Sequence, residues 1–133
     1  MIKNIFSEKK GQGLVEMAIV LPLLLLLLFG IIEFGRVIGA EIMVIHSARD
    51  GARCGSVGAS DSEIINKIQN GTGSILSSQD PTQVSVSIVR TGSGSGGDIE
   101  VSVSFPVVLY IPIVSSITGN PINVSGTSVM RLE

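Results

Sequence analysis

The chain has 133 residues, a formal net charge of −2 and one cysteine, Cys54, so it holds about one domain and has neither an intramolecular disulfide nor a cysteine-based metal site. No basic field draws nucleic acid, and with aromatics at 4% and no Trp a base-stacking surface is excluded too. Much of the 44% apolar content lies between Leu14 and Ile32, leaving a remainder rich in Gly, Ser, Thr and Asn with only a modest core of small and β-branched side chains.

The first element is the apolar run. From Met17 to Ile32 no residue is charged; counted from Leu14 and passing over Glu16 the run has 19 residues. As a helix it is roughly 28 Å long, close to the ~30 Å of a hydrocarbon core. Leu23 to Leu28 is apolar all round and suits lipid or a bundle of like helices. Lys3, Lys9 and Lys10 precede it against Glu8 alone, which places the N-terminus in the cytoplasm and everything after Arg36 outside.

A secretory signal requires a small-x-small cleavage site after its apolar core. The residues that follow, "FGIIEFGRVIGAEI", carry Glu33 and Arg36 and offer none. A plain uncleaved anchor accounts for length and flanks but leaves Glu16 as a cost of about 2.5–3.5 kcal/mol at the bilayer centre, less near an edge. A third reading starts from "GQGLVE", where Glu16 stands fifth after Gly11 if the chain is cut between Gly11 and Gln12.

That arrangement resembles the type IV prepilin signal: a short basic leader, a glycine, the cut, then a glutamate at the fifth mature position and an apolar helix. Cutting on the cytoplasmic side removes the leader and keeps the helix as an anchor. The new α-amine, with a reference pKa of about 7.7–8.0, is a cation for a neighbour's Glu16, and a buried carboxylate is tolerable when paired. Gln12 at the new terminus can cyclise to pyroglutamate, which would abolish that cation. Downstream, "VEMAIVLPLLLLLLFGIIEFGR" and "SARDGAR" resemble the TadE-like pseudopilins of tight-adherence (Tad, or Flp) pilus systems, through Glu16, Pro22, Glu33, Gly35, Arg36, Arg49, Gly51 and Arg53. The tail "GTSVMRLE" is similar as well, whereas the middle is not. Met17 stands where major Flp pilins tend to have tyrosine, which suits a minor component, and the lone Cys54 departs from the intrachain disulfide of many pilins.

Beyond the run the helix is expected to continue, from about Gly13 to Cys54, with Phe34, Ile38, Ile45, Ala48 and Ala52 as its buried face and Arg36, Glu41, His46, Arg49 and Asp50 opposite. Pro22 removes a backbone donor and predicts a bend. A second helix is expected over 60–70, capped by Ser60 or Asp61 and ended by Gly71. "PTQVSVSIVRT" and "DIEVSVSFPVV" alternate as strands of a hairpin turned by "GSGSGG", and "PINVSGTSVMRL" supplies a third strand. The fold class is therefore α+β: a long N-terminal transmembrane and stalk helix, then a small domain with a short helix and a three-stranded antiparallel sheet.

Several residues suggest chemistry without supporting it. Gly92, Gly94 and Gly97 satisfy G-x-G-x-x-G, but a strand follows where a phosphate site needs a helix. His46 lacks a second ligand or base partner at motif spacing. The Asn70 and Asn123 sequons are read as chance. Gly35/Gly39 and Gly51/Gly55 have the spacing of close helix contacts. Glu33–Arg36 and Asp50–Arg53 have the spacing of ion pairs, with solvated charges as the plainer reading. Cys54 is read as inert, with an intersubunit bridge as the alternative.

These readings divide the chain into a leader, 1–11, a membrane and stalk helix, 12–55, and an exported domain, 56–133. The leader holds 3 of the 9 basic and 1 of the 11 acidic side chains, so it carries +2 and the remainder −4. The resemblance implies a TadE-like minor pilin, processed by a prepilin peptidase at Gly11–Gln12, spanning the cytoplasmic membrane between Leu14 and Ile32, and pairing with other pilin subunits through Glu16. It implies a part of an adhesive pilus and not an enzyme, with no cofactor, metal, nucleic acid or small-molecule substrate. The rival expectation is an uncleaved single-pass protein with an exported binding or adhesive domain.

Overall fold

The computed structural model describes residues 5–73, 83–92 and 96–133. Helix α1 runs from Ile5 to Ser56, 52 residues with Pro22 inside it. It extends further at both ends than the sequence predicts, because nothing in "KKGQG" breaks a helix that a long apolar run propagates.

Helix α2 spans Asp61–Gly73. The cap is Ser60: its amide and hydroxyl donate to Glu63 Oε2, each at 2.9 Å, and the Glu63 amide donates weakly back to Ser60 Oγ at 3.4 Å. The helix does not stop at Gly71. Thr72 is buried, and its hydroxyl donates to the Ile68 carbonyl at 2.6 Å, so packing carries the helix past the glycine.

Strands β1 (Ser85–Thr91), β2 (Asp98–Val107) and β3 (Ile122–Arg131) form one antiparallel sheet in that order. Val103 faces Val86 on one side and Gly126 on the other, and Phe105 faces Val124. The expected β1–β2 connection lies partly outside the described residues. A third helix, α3 (Pro112–Thr118), stands between β2 and β3. Periodicity does not mark it, since "PIVSSIT", about two turns, is too short to display a period.

One face of β2, with Ile99, Val101, Val103, Phe105 and Val107, is buried against Ala40, Val44, Ala48 and Ala52 of α1 and Ile64 and Ile68 of α2. The upper half of α1 is thus the floor of the domain. The predicted helix face is corrected here. Ala48 and Ala52 are buried, but Phe34, Ile38 and Ile45 are exposed, and Ala40, Val44, Gly51 and Gly55 replace them. The buried stripe is rotated by less than a quarter turn from the one that bulky residues mark.

The reason is closeness. A Cβ added at Gly51 would lie 2.8 Å from Ile68 Cδ1, and one at Gly55 would collide with Ile99 Cδ1. At Gly126 a Cβ would meet Ile45 Cα at 2.7 Å, backbone against backbone. Only small residues let sheet and helix approach this far.

Candidate functional site

The lower half of α1 carries the expected processing and assembly residues. Gly11, Gln12, Leu14 and Glu16 are all helical and exposed, as is Ile32. The Gly11–Gln12 bond therefore lies in helical backbone, flanked by Gly11 and Gly13, each of which weakens a helix by roughly 1 kcal/mol. Glu16 has no hydrogen-bond or ion-pair partner among the described residues, and every side chain from Gly11 to Phe29 is exposed. Among the described residues α1 is the one helix long and apolar enough to cross a membrane.

Burial begins just past that run. Glu33, next after Ile32, is 5% exposed. Both its oxygens accept from Arg36 Nη1, at 3.0 and 3.1 Å, and Oε1 also accepts the Tyr110 amide at 3.0 Å. The Arg36 guanidinium carbon stands 4.6 Å from the Tyr110 ring centroid, a cation–π contact. The i,i+3 pair read from sequence thus forms, and it is a clamp instead of a pair of solvated charges. Leu109 is fixed beside it by Asn120, whose Oδ1 accepts the Leu109 amide at 3.0 Å while its Nδ2 donates to the Leu109 carbonyl at 3.2 Å. No motif announces that Tyr110 and Asn120 belong here; their partners lie far away in sequence and include backbone groups.

Above the clamp, α1 presents a second surface. Ile31, Phe34, Ile38, Ile42 and Ile45 are exposed along one side of the helix, continuing the apolar run outward. The two glycine pairs separate: Gly51 and Gly55 face the core, whereas nothing lies within 4 Å of a Cβ added at Gly35 or Gly39.

Residues 11–53 match a family model described as TadE-like protein. The similarity to that family covers most of the first helix and none of the sheet. The matched stretch starts at Gly11 and takes in Glu16, the clamp pair Glu33 and Arg36, and Gly51, one of the glycines that let the elements pack closely. No curated protein and no solved structure matches the chain.

The remaining candidates outside the lower half of α1 are structural or solvated. His46 is exposed and unpartnered among the described residues, and Asp50 and Arg53 form no ion pair there. Half-buried Cys54 packs against the core and accepts from Lys67 Nζ at 2.9 Å, a contact that holds the lysine pKa above its ordinary value. No group of three or more His, Cys, Asp or Glu that could hold a metal occurs among the described residues.

Proposed function

We propose that the chain is a minor pilin or pseudopilin of a tight-adherence pilus, cut after Gly11 by a prepilin peptidase and needed to assemble an adhesive surface filament. It sits in the cytoplasmic membrane with its N-terminus inside and its domain outside, and it is a building part and a processing substrate, not an enzyme. The TadE-like match over residues 11–53 carries this reading, because it covers the anchor helix with Glu16 and begins at the residue before the cut. Two features support it. Among the described residues Glu16 stands without a partner on an exposed helix, the state expected of a carboxylate awaiting a neighbour's amine. The stripe from Ile31 to Ile45 leaves apolar surface uncovered above the bilayer run, which parallel copies of such a helix would bury.

Mass spectrometry of the chain recovered from its own membrane tests the cut: loss of residues 1–11 is expected, and a further loss of ammonia would mark a cyclised Gln12. A full-length chain would favour the uncleaved single-pass protein with an exported binding domain. Glu16→Ala is expected to leave insertion intact while filaments disappear; normal piliation would defeat the pairing of Glu16 with a subunit.

A further inference from the structure

The connection between β2 and β3 has a composition unlike the rest of the surface. From Val101 to Met130 there is no Asp, Glu, Lys or Arg. Within that stretch Tyr110 is 64% exposed and Ile117 82% exposed, although the domain has a core that could bury them. The α3 hydroxyls of Ser115 and Ser116 both donate to the Pro112 carbonyl, at 2.9 and 2.8 Å, so they are satisfied within the helix. An uncharged, apolar, internally satisfied loop is poorly suited to water.

Its position says what covers it. The Tyr110 amide is bonded to Glu33, one residue past the end of the apolar run, and the tyrosine ring lies against Arg36. If Leu14–Ile32 spans the ~30 Å hydrocarbon core, Tyr110 stands at the outer interface, where tyrosine and arginine both concentrate. The loop is continuous with the membrane-spanning surface.

We infer that the β2–β3 connection, led by Tyr110 and Ile117, is a foot that rests in the headgroup and outer acyl region of the bilayer from which α1 emerges. This rests on the membrane reading of α1 given above. The foot and the clamp together would set the tilt of the domain over the bilayer, giving it two attachments instead of a single hinge.

The chain has no Trp, so single tryptophans report position without background. Three variants of the full chain would be reconstituted in phosphatidylcholine vesicles with brominated acyl chains: Leu25→Trp in the span, Ile117→Trp in the foot, and Val129→Trp on β3. Val129 is exposed and lies seven residues along β3 from Ile122, roughly 23 Å up the strand. Loss of emission is expected for Leu25→Trp and Ile117→Trp, with Val129→Trp unchanged. Quenching at Leu25→Trp without quenching at Ile117→Trp overturns the foot alone, and protection of Ile117→Trp only in assembled filaments would assign the patch to a neighbouring subunit instead. Equal quenching at positions 117 and 129 also overturns it, since the domain would then lie flat. An unquenched Leu25→Trp removes the membrane reading, and the foot with it.

Discussion

At Gly126 the β3 backbone passes so close to α1 that an added Cβ would press on the Cα and nitrogen of Ile45, at 2.7 and 2.8 Å, neither of which can rotate away. Gly126→Ala is therefore expected to cost about 1–3 kcal/mol, the usual range for overpacking. Gly71→Ala, at a helical position with nothing within 4 Å, is expected to gain about 0.5–1 kcal/mol. Denaturant midpoints of the two variants in the same detergent check the contrast in sign. At Glu33 the issue is an acceptor. Glu33→Ala leaves the Tyr110 amide and the Arg36 guanidinium without this acceptor, a loss of about 1 kcal/mol at part-buried donors. Glu33→Gln keeps an oxygen for that amide. Hydrogen exchange at Tyr110 is expected to quicken about tenfold in the alanine variant and less in the glutamine one.

Among the elements, α2 depends most visibly on its first turn. The Ser60 amide, with its hydroxyl, holds the Glu63 carboxyl below its ordinary pKa. A lowered folded-state pKa means that this contribution is complete above the ordinary value near 4.5 and disappears as pH falls through the lowered folded value. Ser60→Ala is expected to cost about 1 kcal/mol, seen as faster exchange of the α2 amides near neutral pH, with the difference from the parent shrinking in acid. For α1 the two sides have separate tasks. Serine at Ile38 and Ile42 should leave the monomer fold intact, because neither side chain touches the core, while reducing filament yield if copies pack along that stripe. Element types were legible from alternation and from the "SDSE" cap, whereas the orientation of α1 was not. Periodicity scored Phe34, Ile38 and Ile45 as inward because they are large, yet the sheet selected alanines and glycines, whose small size leaves little hydropathic trace. Helix α3 and the Asn120 brace escaped notice for a related reason, since about two turns of helix and a side chain paired to backbone 11 residues away leave no pattern along the chain.

For the whole molecule, anchor and domain share one core. Ala40, Val44, Ala48 and Ala52 belong to the helix that is long and apolar enough to cross a membrane, and they are also the surface on which the sheet lies. The lower helix was readable in advance as an element, since its apolar run is written consecutively, although its start at Ile5 was not. The clamp was only half readable: Glu33 and Arg36 are neighbours on one helix, but the amide that Glu33 accepts and the ring beneath Arg36 arrive from Tyr110, far along the chain. The last strand closes this arrangement by laying Gly126 on Ile45, and the Glu133 amide then joins the Ser56 carbonyl at 3.1 Å. During synthesis the side of the upper helix that meets β3 therefore stays uncovered until residue 126 has been made. A premature stop before residue 122 would leave α2 and β2 on the alanine face but open one edge of β2, and the strip of α1 beside Ile45, to proteases.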